Sequence, residues 1–216
     1  MQTQTLETLI ERQRAEIQNW RSNADEIGEQ IADQVWDALE RELEDLTSDG
    51  LLWDLSETLQ MGLTTALALN FDEACERSIT RRLEAHSAAL LAADPDWNYD
   101  VGRTSLDHLR KSLRIRQHFT PRFERLFEQA KPGVLSLLGR AFVSDEDYVL
   151  KHMERDSQRD AARLRSVFYA ARREIAREIA QLGSDLLRRA CHSYLEALAT
   201  HALRPSSPSH TCGAKA

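Results

Sequence analysis

Leu6-Glu-Thr-Leu-Ile10-Glu-Arg-Gln13-Arg-Ala-Glu-Ile17-Gln-Asn-Trp20-Arg-Ser-Asn-Ala24-Asp-Glu-Ile27-Gly-Glu-Gln-Ile31 is the stretch that decides the fold. From Leu6 through Ile10, Gln13, Ile17, Trp20, Ala24 and Ile27 to Ile31 the steps alternate between four and three, with Gln13 the one polar member. That spacing lines one side of a helix and has the period of a heptad seam. The row continues through Val35, Leu39, Leu43 and Leu46, and the extra step of four from Ile31 to Val35 is a stutter that locally unwinds a left-handed supercoil. One helix is expected over residues 4–47, roughly 65 Å long at about 1.5 Å per residue. Thr47-Ser48-Asp49-Gly50 stops it with turn formers and a glycine.

The next apolar row, Leu52, Leu55, Leu59, Leu63, Leu67, Ile79, Leu83 and Leu90, predicts a second helix over 51–93, close enough to the first to form an antiparallel hairpin. Ala93 to Gly102 then breaks the periodicity with Pro95 and several Asp and Asn residues, and is the clearest internal loop. A third helix is expected over 105–131, kinked or divided at Pro121. A short apolar segment follows at 134–142. Ser144 and the acids behind it start a last helix over 145–203, with Gly183-Ser184 its one candidate interruption. In that helix Leu164, Ile175 and Leu186 repeat at eleven residues, a period that stays nearly straight. The expected fold is all-α: a single elongated antiparallel bundle of four or five long helices over 1–203 with coiled-coil-like packing, and a disordered tail at 204–216.

Composition agrees with long helices and few turns: eight glycines and five prolines in 216 residues, with 29% charged and 6% aromatic. Cys75, Cys191 and Cys212 have no metal-ligand spacing and read as reduced thiols of a cytoplasmic protein. No basic-then-apolar leader opens the chain, and its longest apolar run is the six residues Ala88 to Ala93, so a membrane span is not expected. The net charge of −7 is unevenly placed. Residues 1–58 hold fifteen acids against four Arg, a balance of −11, while residues 103–189 hold nineteen bases against twelve acids, a balance of +7. Packing of these two regions on each other, or on a second copy, follows from their opposite fields.

The sequence has no phosphate-binding glycine loop, zinc-protease, nucleophile-elbow or EF-hand motif, and no pair of Glu-x-x-His motifs as in di-iron bundles. Glu84 with His86, and Glu196 with His201, stand two and five residues apart, which does not put both groups on one helical face. No catalytic residue, cofactor or metal ligand is therefore expected. Three surfaces carry the functional reading instead. The first is the seam, Ile10, Ile17, Trp20, Ile27 and Ile31, expected to serve a homodimer; Trp36 lies off this seam, which implies cover on a second side, from a second chain or, more economically, from the protein's own later helices. Next is the apolar segment Val134, Leu135, Leu137, Leu138 and Phe142, flanked by Lys131 and Arg140, which could dip into a membrane surface, seat in a partner's groove or fold over the bundle end. Last is Arg110, Lys111, Arg114 and Arg116, able to contact an anionic partner or the acidic first helix.

A further basic row, Lys151, Arg155, Arg159 and Arg163, is interleaved with Glu154, Asp156 and Asp160, which reads as a salt-bridged surface. The acidic total argues against nucleic acid. Long helical pairs with an apolar tip resemble, in outline, the stalks of bacterial dynamin-like GTPases and the helical pore-forming toxins. No motif of either family is present, so the outline carries no property across; the expected location is cytoplasmic, peripheral to membranes where residues 133–143 act as a tip. The leading expectation is a scaffold, adaptor or assembly subunit acting through protein–protein contact; the alternative is a membrane-surface protein using residues 133–143 as its tip.

Overall fold

The computed structural model describes residues 6–48, 50, 56–101, 112–131 and 146–203. Among them there is no strand, and the elements in order are α1 (Leu6–Ser22), α2 (Ala24–Leu46), α3 (Ser56–Cys75), a π-helical turn (Glu76–Thr80), α4 (Arg81–Ala93), α5 (Ser112–Ala130) and α6 (Glu146–Ala202). The all-α bundle expected from the periodicity is the fold of the protein. Residues 132–145, which include the apolar segment at 134–142, and the tail at 204–216 lie outside the described residues.

Helix α6 has 57 residues, about 85 Å of continuous helix, and the others assemble on it. Helices α1 and α2 run antiparallel along it, fixed by Tyr194 to Gln13 (2.9 Å), Arg188 to Asp25 (2.7 Å to each carboxylate oxygen) and Arg165 to Thr47 (3.3 Å). Helix α3 packs on α2, α5 packs on both α3 and α6 so that these four helices close a ring, and α4 packs on α1. The expected seam is the inner face of this arrangement, and Ile17, Ile31, Val35, Leu39 and Leu43 meet Leu164, Phe168, Ile175 and Ile179 in one core. A ladder of edge-on rings, Phe123 on Phe168 (5.2 Å) and Phe127 on Phe168 (5.9 Å), ties α5 to α6.

Three local departures from the expected helices have identifiable causes. The single helix over 4–47 is two, because Asn23 leaves the helical region (φ −95°, ψ 20°). Its N–H is shared between the carbonyls of Asn19 (3.1 Å) and Trp20 (3.2 Å), so the chain tightens for one residue and resumes. The helix over 51–93 carries the π-helical turn at Glu76–Thr80, whose extra residue shifts the phase so that Ile79, Thr80, Leu83 and Leu90 all remain buried. Pro121, by contrast, does not divide α5. Phe119, Phe123, Leu126 and Phe127 hold the helix by burial on both sides of the proline, and the Arg125 Nε–H caps the Pro121 carbonyl at 3.2 Å. Gly183-Ser184 does not interrupt α6 either.

Two glycines are required by geometry. Gly50 turns the chain out of α2 with φ +98°, and a Cβ there would stand 2.1 Å from Ser157 Oγ. Gly28 marks the closest approach of α2 and α6: a Cβ would lie 2.4 Å from the Ala180 carbonyl oxygen and 2.2 Å from Ser184 Oγ. Ser184 exploits this contact, its single hydroxyl proton shared between the carbonyl of Ala24 (3.0 Å) across the helices and that of Ala180 (2.9 Å) in its own.

Candidate functional site

The seam residues are placed inside the chain. Ile17 and Ile31 are fully buried, and Ile10, Trp20 and Ile27 are no more than 8% exposed, covered by α6 and α4 of the same molecule. Trp36, on the other side of the helix, is also buried, and each indole is capped by an arginine: Arg82 over Trp20 and Arg172 over Trp36, both at 5.6 Å. Neither indole N–H finds an acceptor among the described residues. The cover that the two tryptophans call for thus comes from α4 and α6.

Gln13, the polar member of the seam, opens onto a cluster at one end of the bundle. Its amide oxygen accepts from the buried Tyr194 hydroxyl (2.9 Å) and its Nε2 donates to the His86 carbonyl (2.8 Å), so a polar side chain is satisfied in a dry position. Burial pushes the Tyr194 phenol up, with Tyr99 adding to it, and burial pushes the Cys191 thiol up to about 12, leaving both protonated. The loop after α4 folds over Tyr194: Tyr99 packs edge-on at 5.0 Å and Trp97 at 5.9 Å. The Trp97 indole donates to Ser87 Oγ (2.8 Å), which donates to the Tyr99 carbonyl (3.1 Å). His201 in the last turn of α6 holds Asp94 at 2.9 Å, and the Asp94 carboxyl sits below its ordinary range because it accepts first from the Asp96 N–H and then from His201. Each of these polar atoms has a structural partner, so the cluster works as a clasp for the loop.

Of the cationic set expected to contact an anion or the first helix, two members are among the described residues. Arg110 and Lys111 lie outside the described residues, Arg114 is exposed, and Arg116 lines a groove with Glu57, Gln60, Glu124 and Lys131 between α3 and α5. The charged contacts of α5 run instead to α6, where Arg122 bridges Glu174 and Glu178 (3.0 Å to the latter) and His118 meets Glu178 at 2.8 Å. The row Arg155, Arg159 and Arg163 is exposed, and none of the three forms an ion pair among the described residues. Of the acids interleaved with it, Asp160 is only 5% exposed and is turned inward.

The outer side of α2 is strongly acidic. Nine of its 23 residues are Asp or Glu against one Arg, and Glu26, Glu29, Asp33 and Asp37 are exposed with no ion pair among the described residues. Periodicity had marked the inner side of this helix and passed over the outer one, although its charge count was available in the sequence.

The apolar segment Val134, Leu135, Leu137, Leu138 and Phe142 lies outside the described residues, as does the side chain of Lys151. Among the described residues no group of three or more His, Cys, Asp or Glu is placed to hold a metal ion, and no helix is long and apolar enough to cross a membrane. Comparison with known proteins gives no match to a family model, a curated protein or a solved structure.

Proposed function

We propose that the chain is a helical scaffold or assembly subunit that works through protein–protein contact, with a second copy of itself as partner. The observation that supports this reading is the division of labour across α2 and α6. Their inner faces are consumed by one core, while their outer faces carry Glu26, Glu29, Asp33 and Asp37 on α2 and Arg155, Arg159 and Arg163 on α6, none of which forms an ion pair among the described residues. A core residue is held by burial, and a long unpaired row of like charge weakens the monomer that carries it. Such rows fit a protein that meets a complementary surface. The length of α6 suits a spacer or strut, since it separates the two ends by about 85 Å.

Light scattering coupled to size exclusion, with small-angle X-ray scattering on the same sample, tests the reading. The expected result is twice the 24.7 kDa chain mass with an extended profile. A monomer at every concentration and salt would overturn self-assembly.

A further inference from the structure

From the placement of these charges we infer that α2 and α6 together form a self-complementary surface, on which the acidic stripe of one copy docks against the basic stripe of a second. This rests on the self-assembly reading above and names its surface. Glu26, Glu29, Asp33, Asp37, Glu40 and Glu44 follow one another by steps of three and four, within about 80° of the circumference at roughly 100° per residue. On α6 the exposed row Arg155, Arg159, Arg163, Arg173 and Arg177 keeps the same kind of spacing, with only the small Ser166 and Ala170 in between and no acid on the row. The two stripes extend for about 27 Å and about 33 Å. They belong to helices packed antiparallel, and Tyr169 marks the line between them: its hydroxyl reaches Glu44 at 3.2 Å and also bonds Glu40, while Arg173 stands one turn further along α6.

A surface with an acidic and a basic stripe side by side has a specific symmetry. A two-fold rotation about an axis along the stripes keeps every residue at its own height, and Arg188 beside Asp25 with Tyr169 beside Glu44 puts Arg173 and Arg177 level with Glu40 and Asp37. The rotation therefore lays Asp37, Glu40 and Glu44 of each copy on Arg173 and Arg177 of the other, in two equivalent contacts, while Arg155, Arg159 and Arg163 lie beyond the α2 stripe. Rotation about an axis across the stripes would oppose acid to acid, so the charges select the parallel pairing. Ser166 and Ala170 leave the basic stripe open to close approach between the arginines.

The test is the dimer dissociation constant across a salt series for four proteins. These are the wild-type chain; Arg173→Glu with Arg177→Glu; Asp33→Arg with Asp37→Arg; and the chain carrying all four changes. All the substituted positions are exposed, and thermal melts by circular dichroism check that each protein is folded. Each two-residue reversal is expected to weaken dimerisation about ten-fold or more, and the four-residue swap to restore it. Raising salt from about 0.05 to 0.5 M should weaken the wild-type dimer as the Debye length shrinks to a few Å. A dimer indifferent to salt and to both reversals overturns this surface and leaves self-assembly standing. A wild-type chain that is monomeric at the lowest salt overturns both. A monomer that instead binds single-stranded poly(dT), and loses that binding on Arg173→Glu with Arg177→Glu, overturns the proposal in favour of a nucleic-acid surface.

Discussion

Helix α6 meets α2 at Gly28 and meets α1 at Gln13, and these two crossings are closed by opposite means. At Gly28 the helices touch through backbone, with Ser184 donating to the Ala24 carbonyl across a gap that no side chain could enter. Around Gln13 the gap is wide, and Tyr194 fills it with a ring and a hydroxyl that satisfies the amide. The first contact tolerates almost no added volume; the second is filled by side chains and depends on keeping its hydrogen bond. Together they teach that the seam of α1 and α2 is sealed within one molecule, so surfaces for a partner have to be sought on the outside.

The sharpest way to break the contrast is at Gly28. Gly28→Val places a branched side chain against the Ala180 carbonyl oxygen, and a loss of about 3 kcal/mol or more is expected in urea unfolding. Gly183→Ala serves as its control: the added Cβ would meet the mobile end of Ile31 at 3.2 Å, and the gain of about 1 kcal/mol in helix propensity offsets that strain, so stability should change by less than about 1 kcal/mol. Equal losses at the two glycines would remove the case for a backbone contact at Gly28. Ile27→Asp ranks close behind Gly28→Val. Putting a charge at a position only 8% exposed should cost about 3 kcal/mol of monomer stability. If the variant instead stays stable and merely dissociates, the seam serves a partner chain.

Tyr194→Phe probes the other crossing, where it removes one hydroxyl and strands the Gln13 amide oxygen. A loss of about 1 to 2 kcal/mol is expected with helix content unchanged in circular dichroism. The smallest effect concerns pH. Burial lowers the His86 pKa from 6.5 more than Glu16 raises it, with Arg12 lowering it further. The folded state therefore binds this proton less readily than the unfolded one. Its contribution is fully present above about pH 6.5 and is lost as the pH falls and the unfolded chain takes up the proton first. His86→Gln, which keeps the backbone carbonyl used by Gln13, should flatten the decline in stability between about pH 7 and 5; an unchanged slope would assign it to other groups.

The helices were legible because their apolar rows repeat at local spacing. Ile17, Ile31, Leu164 and Ile175 are buried as the pattern requires, and Gly50 turns where a glycine was expected to end the first long helix. Features that depend on distant residues were not legible. Gly28 reads as a helix-weakening residue until Ser184, 156 positions later, is seen against it. Gln13 reads as a flaw in the seam until Tyr194 supplies its partner. Pro121 carries a strong local signal to break, yet burial of Phe119 and Phe123 on either side outweighs it. The opposite balances at the two ends of the sequence predicted attraction between them, and Arg188 with Asp25 is one such contact. The stripes themselves needed the structure, because only the packing of α2 on α6 shows which charges remain outside.

Closure of α1 and α2 on α6 of the same molecule can be read by placing cysteines at Asp25 and Arg188, whose side chains meet at 2.7 Å, with Cys75, Cys191 and Cys212 replaced by serine. A short bis-maleimide is then added at concentrations where the protein is dimeric, and the products are separated under denaturing conditions. Cross-linked chains running at the mass of one chain are the predicted result. Covalent dimers as the main product would mean that a second copy supplies α6 to the seam, and would rule out closure within one molecule.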